Sequence, residues 1–203
     1  MSDDARVPTA ILISGRGSNM VALLAAARDP DYPARIVLVL SNRPDAGGLS
    51  LAREAGIPTA VVDHAAYPDR ESFDAALDAR LREAGVELVV LAGFMRILTE
   101  GFVRAWEGRM INIHPSLLPA FRGTRTHERA LAAGVAEHGC TVHHVVPELD
   151  AGPTIAQARV PVLPGDTPET LAERVLAEEH TLYPRALADV ALALRDARRG
   201  QRM

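Results

Sequence analysis

The sequence has a single cysteine, Cys140, in 203 residues. One thiol cannot close an internal disulfide, and it cannot form a cysteine cluster for zinc or iron–sulfur chemistry. No carboxylate lies at zincin spacing from any histidine, so we expect no metal site. A reducing cytoplasm fits this composition, and Cys140 is predicted to be a small core residue rather than a nucleophile.

The sequence also lacks an apolar run long enough to cross a bilayer, and its N-terminus, MSDDARVPTA, is too polar for a signal peptide. We therefore expect a cytoplasmic protein with no membrane partner. The sequence has no excess of basic residues either: it contains 22 Lys and Arg and 26 Asp and Glu, which gives a formal net charge of −4. This balance gives no general attraction for nucleic acid, but it does not exclude a local anion-binding pocket.

The composition that remains is that of a globular protein, with 48% hydrophobic and 24% charged residues. The length favours one domain over residues 1–203, without a repeat or a linker. Apolar, β-rich runs predict buried strands at 9–13, 36–40, 59–62, 88–92 and 110–113. Amphipathic segments predict helices at 20–28, 47–55, 71–83 and 99–106. The alternation predicts an α/β fold with a doubly wound, mostly parallel sheet.

The pattern changes in the C-terminal half. Residues 140–146 and 154–160 predict two strands joined by a turn at 147–153, which would extend the sheet in antiparallel fashion. Thr167 and Pro168 have the residue types of a helix N-cap and first helical position, and predict a long C-terminal helix that runs towards Arg195. The basic tail, 195–202, is expected to fray.

The segment Ser-Gly-Arg-Gly-Ser-Asn at 14–19 follows the first predicted strand and opens the first predicted helix. Glycines let main-chain amides approach an anion, and a helix N-terminus supplies unpaired N–H groups. The third glycine of a dinucleotide fingerprint is missing, and so is a P-loop lysine. The segment therefore predicts either a phosphate cradle or a tight turn capped by Ser18 or Asn19, and both interpretations stay open.

Two further loop positions carry unusual residues. Asn112 and His114 lie two apart on a predicted strand, so their side chains leave the same face, and Asp150 on the 147–153 turn could orient the imidazole and favour its charged form. An amide and an imidazole are donors that an oxyanion requires, although a lone hydrogen-bonded histidine is the commoner finding. The apolar segment 92–98 could line a pocket for a flat heterocycle or simply pack in the core. His143 and His144 alternate on a strand and cannot easily share a metal.

Six motifs taken together resemble the phosphoribosylglycinamide formyltransferase family over roughly residues 9–190. They are SGRGSN (14–19), SNRPDA (41–46), AGFMRIL (92–98), NIHPSLLP (112–119), ELDAGP (148–153) and EEHTLYP (178–184). The resemblance implies a Rossmann-like formyltransferase fold with a nucleotide-binding N-terminal half and a folate-binding C-terminal half. It also implies transfer of a formyl group from 10-formyltetrahydrofolate to the amine of glycinamide ribonucleotide, without a metal, in purine synthesis, by a monomer or homodimer.

The resemblance also implies roles for individual residues. Gly17, Ser18 and Asn19 would hold the phosphate of the ribonucleotide, and Glu179 would contact the same substrate. Asn112, His114 and Asp150 would form the catalytic group. The folate would be bound by Arg70, Met95, Arg96, Ile97, Leu98, Asn112, Val146, Pro147, Glu148, Leu149 and Asp150.

One segment departs from the family pattern. Arg122 and Arg125 stand where a proline and a histidine are expected, which bears on the shape of the loop over the substrate. An Arg-Gly pair here is similar to the methionyl-tRNA formyltransferases, which need a C-terminal domain that we do not find in this sequence.

Two other functions are weighed against the transferase. A formyltetrahydrofolate hydrolase passes the formyl group to water with a similar triad, but its family carries an extra N-terminal regulatory domain, whereas the first predicted strand here begins at about Thr9. A catalytically silent nucleotide-binding module would keep the fold. The intact set of Asn112, His114 and Asp150 argues against that module.

Overall fold

The computed structural model describes residues 6–201 and consists of alternating strands and helices, with a 3₁₀ turn at His64–Ala66. The strands are β1 (Val7–Ile13), β2 (Ala34–Ser41), β3 (Thr59–Val61), β4 (Leu88–Leu91), β5 (Met110–His114), β6 (Glu137–His144) and β7 (Thr154–Pro161). The helices are α1 (Ser18–Ala26), α2 (Gly48–Glu54), α3 (Arg70–Glu83), α4 (Glu100–Ala105), α5 (Thr126–Ala132) and α6 (Pro168–Gln201).

The strands form one seven-stranded sheet in the order β3-β2-β1-β4-β5-β6-β7. Strands β1 to β5 pair in parallel, whereas β6 pairs antiparallel with both β5 and β7. The predicted doubly wound α/β fold with its antiparallel extension is therefore confirmed. The strand order reverses between β1 and β4, and in such sheets this reversal opens a crevice at the carboxyl ends of the strands.

Both faces of the sheet are covered, which explains the continuous apolar runs in the sequence. Ile11 and Ile13 of β1 belong to the core cluster on one face, together with residues of α1, α2 and α6. Leu12 belongs to the cluster on the other face, with residues of α3 and α4. Cys140 is fully buried in the first cluster, and burial raises the pKa of its thiol to about 12, so the prediction of a core residue is confirmed.

Helix α6 is longer than the sequence predicted. Fraying was expected from Arg195, but the helix continues to Gln201, so that prediction is wrong for the described part of the tail, and Arg202 lies outside the described residues. An ion pair between Arg198 and Glu87 attaches the last turns to the segment before β4. Short helix α5 was not predicted, because it buries only Thr126 and Ala130 and has no clear apolar period. Among residues 6–201, none of the helices meets the length and hydropathy needed for a bilayer span.

Tyr183 anchors α6 to the middle of the sheet. Its side chain is fully buried, and its hydroxyl donates to the main-chain oxygens of Leu91 at 2.9 Å and Ile111 at 3.3 Å. Tyr183→Phe removes this donor from a buried site and is expected to lower the free energy of unfolding by about 1–2 kcal/mol. Urea unfolding measures this change, and an unchanged midpoint would show that the hydroxyl does not contribute to stability.

Candidate active site

His114 is the last residue of β5 and lies at the carboxyl edge of the sheet, with its side chain only 7% exposed. Its Nδ1 is 3.4 Å from Oδ2 of Asp150, and its Nε2 is 3.0 Å from the main-chain oxygen of Phe121. The ring therefore faces an acceptor at each nitrogen. That arrangement suits an imidazolium, in which both nitrogens donate.

Asp150 is held in place by the loop that precedes α5. Its Oδ2 accepts a hydrogen bond from the main-chain N–H of Gly123 at 2.8 Å, and its own backbone has a φ of 49°, in the left-handed region. Asp adopts that region more readily than most non-glycine residues, and residues held there cluster at functional sites. Gly152 lets the same turn approach β6, since a Cβ there would lie 1.7 Å from the main-chain oxygen of His144. The structure thus brings Asp150 and His114 together, as the sequence predicted.

His143 is a site residue that the sequence reasoning missed. The antiparallel register places it opposite Asn112, and its Nε2 is 3.3 Å from Nδ2 of Asn112. Its Nδ1 lies 2.9 Å from the main-chain oxygen of His144, so that nitrogen donates and Nε2 accepts, which fixes the orientation of the Asn112 amide. Burial lowers the pKa of His143 and so favours this neutral ring. His143 could be recognised as a site residue only from the register of the β5–β6 pairing, which the sequence does not reveal.

The 14–19 segment forms one wall of a cleft of about 420 Å³ at the carboxyl ends of β1 and β4. Gly17 is the N-cap of α1, with a φ of 78° and no side-chain capping bond, so the interpretation in which Ser18 or Asn19 caps the helix is wrong. A Cβ on Gly17 would lie 3.1 Å from Cα of Gly48. The uncapped first turn of α1 opens at the cleft, as a phosphate cradle requires.

Asn19 and Glu179 are in direct contact although 160 residues separate them, with Nδ2 of Asn19 2.6 Å from Oε2 of Glu179. The Glu179 side chain is buried, and this burial raises its pKa, while the bond from Asn19 acts in the opposite direction. Oδ1 of Asn19 is also buried and has no hydrogen-bond partner in the described structure. The two residues assigned to one substrate by resemblance thus lie side by side.

The residues assigned to the folate include unusually exposed apolar side chains. Met95 and Ile97 are 75% and 63% exposed, and Leu149 on the 147–153 turn is 55% exposed. Core packing therefore does not explain Met95 and Ile97, although Leu98 packs partly against the core. Such side chains on loops beside a cleft are typical of a ligand-binding surface.

The remaining assigned residues lie around these loops. The Arg96 guanidinium stacks over the ring of Phe73 in α3, 5.8 Å from the centre of that ring. Arg70 is the first residue of α3 and is exposed. Val146 and Pro147 lead from β6 into the 147–153 turn.

Arg122 and Arg125, which depart from the family pattern, shape the loop before α5. Arg122 forms an ion pair with Glu148, 2.9 Å from Nη1 to Oε1, and so joins this loop to the 147–153 turn. Arg125 is exposed and adopts a φ of 54° as the N-cap of α5. Both partners of the Arg122 pair are largely exposed, so the pair contributes at most about 1 kcal/mol.

Comparison with known proteins agrees with this fold. The family described as formyl transferase matches residues 7–187 of the chain. The chain therefore belongs to the formyl transferase family.

Individual relatives narrow the assignment. The chain is 46% identical to phosphoribosylglycinamide formyltransferase of Escherichia coli strain K12, over 86% of this chain and 82% of that protein. It is 53% identical to the trifunctional purine biosynthetic protein adenosine-3 of Bos taurus over 90% of its own length, but spans only 18% of that longer protein. The crystal structure of glycinamide ribonucleotide transformylase 1 from Symbiobacterium toebii superposes with a TM-score of 0.90 at 49% identity, covering 93% of this chain and 89% of that one. Within the family, the chain groups with the phosphoribosylglycinamide formyltransferases.

Proposed function

We propose that this protein transfers the formyl group of 10-formyltetrahydrofolate to the amine of glycinamide ribonucleotide, as a cytoplasmic enzyme of purine synthesis. The observation that carries the proposal is the His114–Asp150 pair beside the amide of Asn112, buried at the sheet edge. The phosphate-type loop 14–19 and the first residues of the exposed apolar segment 95–98 line one cleft at the carboxyl edge of the sheet, the edge at which β5 ends with His114. A nucleotide and a folate bound at these places would meet at His114.

The reaction needs no covalent enzyme intermediate. The neutral amine attacks the formyl carbon, a C–N bond forms, and the carbonyl oxygen becomes an oxyanion. Nε2 of His114 exchanges its bond to the Phe121 main-chain oxygen for a bond to the oxyanion, and the second amide proton of Asn112 donates to the same atom, while Asp150 stabilises the charged imidazole. The bond from carbon to the folate nitrogen then breaks. The proton lost by the amine passes through a water near Asp150 to that nitrogen, so atoms and charges balance.

The site residues divide between the two substrates. We assign the phosphate to the N–H groups of Gly17, Ser18 and Asn19, and a further contact with the same substrate to Glu179, whose neighbour Asn19 orients it. The pteridine is assigned to the 95–98 segment, largely through its backbone, and Arg70 and the 146–150 loop complete the folate site. Holding the two substrates in one cleft supplies much of the remaining rate enhancement.

A single assay separates the candidate functions. The protein is mixed with 10-formyltetrahydrofolate, with and without glycinamide ribonucleotide, and the folate chromophore is followed. We expect loss of the formyl donor only when the amine is present. Deformylation without the amine would identify a hydrolase instead, and no reaction in either mixture would identify a silent module.

The acceptor is expected to be a small molecule. The net charge of −4 offers no footprint for RNA, so methionyl-tRNA is not expected to be formylated. Initial rates with the two acceptors at equal concentration measure this preference. Equal turnover of both acceptors would contradict the assignment.

A further inference from the structure

A chain of polar side chains lines part of the cleft and joins the carboxyl ends of β1 and β2 to the 3₁₀ turn after β3. Ser14 donates from Oγ to Oδ1 of Asn42 at 2.5 Å, and both residues are buried. Nδ1 of His64 lies 2.8 Å from the main-chain oxygen of Asn42. Asn42 belongs to the SNRPDA motif, which has no part in the mechanism described above.

The Ser14 hydroxyl connects this chain to the folate segment. A hydroxyl has one proton, and Oδ1 of Asn42 can only accept, so the proton lies between these two oxygens. The Ser14 oxygen is then an acceptor for its other neighbour. That neighbour is the main-chain N–H of Met95, 2.7 Å away, at the first residue of the 95–98 segment.

The orientation of the Asn42 amide decides whether the Ser14 oxygen can accept the N–H of Met95 while the Ser14 proton has its own acceptor. With Oδ1 towards Ser14, the Ser14 proton has an acceptor, and Nδ1 of His64 either donates to the Asn42 main-chain oxygen at 2.8 Å or accepts from Nδ2 of Asn42 at 3.2 Å. With the amide reversed, Nδ2 would donate to Ser14 and the Ser14 proton would face only the N–H of Met95, which cannot accept it.

We infer that Asn42 and Ser14 are positioning residues for the folate segment. Asn42 holds the Ser14 hydroxyl in one rotamer, and Ser14 holds the Met95 N–H, so that the 95–98 backbone has its binding conformation before the folate arrives. The main-chain bond from Ser14 N to the oxygen of Gly93, 3.1 Å long, supports the same junction. Pre-forming a binding segment improves affinity because less ordering remains to be done on binding. The inference rests on the proposed function, since that function assigns the folate to residues 95–98.

Three variants test the chain. Ser14→Ala removes the acceptor of the Met95 N–H, and Asn42→Ala releases the hydroxyl that accepts it. Each is expected to raise the KM for 10-formyltetrahydrofolate and the Kd for folic acid about fivefold to tenfold, with a much smaller change in kcat. Asn42→Asp keeps an oxygen acceptor towards Ser14 and is expected to restore folate affinity to within about twofold of the parent.

A matched control accounts for general destabilisation. Thr9→Val also removes a buried hydroxyl from β1, one that donates to the Val7 main chain at 2.9 Å at the opposite end of the strand. It is expected to lower the melting temperature without changing the Kd for folic acid, measured by titration calorimetry. Amide hydrogen exchange adds a readout that needs no ligand, and the Met95 amide is expected to exchange about tenfold faster in Ser14→Ala and Asn42→Ala than in the parent.

The outcomes separate the positioning role from the proposed function. Failure of the parent protein to bind folic acid would overturn the proposed function and this inference with it. Folate binding by the parent with equal affinity in Ser14→Ala and Asn42→Ala, or Met95 exchange unchanged in both, would overturn the inference alone. Weaker folate binding by Asn42→Ala and restored binding by Asn42→Asp support the inference when exchange of the Met95 amide rises and falls in the same order, because exchange reports directly on the bond from Met95 to Ser14.

Discussion

Replacing His114 by alanine is expected to lower kcat by about 10²–10³, the loss found when an oxyanion donor is removed from a buried site. The imidazole lies between Asp150 and the main-chain oxygen of Phe121, at the carboxyl edge of the sheet where the two substrates are proposed to meet. The KM for either substrate is expected to change little, because the ring is assigned to the transition state and not to ground-state binding. Steady-state rates at saturating concentrations of both substrates measure this effect.

Asp150→Asn is the companion variant for His114. It keeps the size of the side chain and the acceptor for the Gly123 N–H, but removes the negative charge 3.4 Å from His114. We expect a loss in kcat with folate binding retained. If His114→Ala reacted at the parental rate, the catalytic assignment of His114 would be wrong. If Asp150→Asn reacted at the parental rate while His114→Ala did not, Asp150 would only shape its loop.

Replacing Gly17 by valine is expected to raise the KM for glycinamide ribonucleotide by about 10- to 100-fold, while the KM for the folate changes much less. Gly17 has a φ of 78°, and a Cβ there would approach Cα of Gly48 to 3.1 Å, so the loop cannot keep its present path. The N–H groups of the first turn of α1 would then no longer point at a bound phosphate. The size of the effect follows because a hydrogen bond to a charged group contributes about 1.5–3 kcal/mol.

Gly56→Val is a matched control for the strain in Gly17→Val. Gly56 has a similar φ of 75°, and its added Cβ meets nothing within 4 Å, at the end of α2 away from the cleft. It is expected to destabilise the fold with both KM values unchanged. Unchanged KM values in a folded Gly17→Val protein would show that the 14–19 loop is an ordinary turn.

Much of the parallel half of the fold could be predicted from the sequence because its signals are local. Strands buried on both faces read as apolar runs, and β1 to β5 end within two residues of the predicted positions. The assignments of Asn112 and His114 to one face followed from the two-residue period of a strand. The glycines of the 14–19 loop could also be recognised from the sequence as residues of a tight turn or phosphate cradle, because the conformation of such a loop depends mainly on its own residues.

The tertiary structure decided which distant groups meet. Asp150 reaches His114 because the β6–β7 pairing folds the 147–153 turn back over β5, and a slip of one residue would turn His143 away from Asn112. The contact between Asn19 and Glu179 depends on how α6 packs across α1, and the Ser14–Asn42 bond depends on the order of β1 and β2. The sequence by itself determined the elements, the motifs and the residue types, because propensity and periodicity act over a few residues. The pairs that make the site needed the fold, because register and helix packing are settled by burial over the whole sheet.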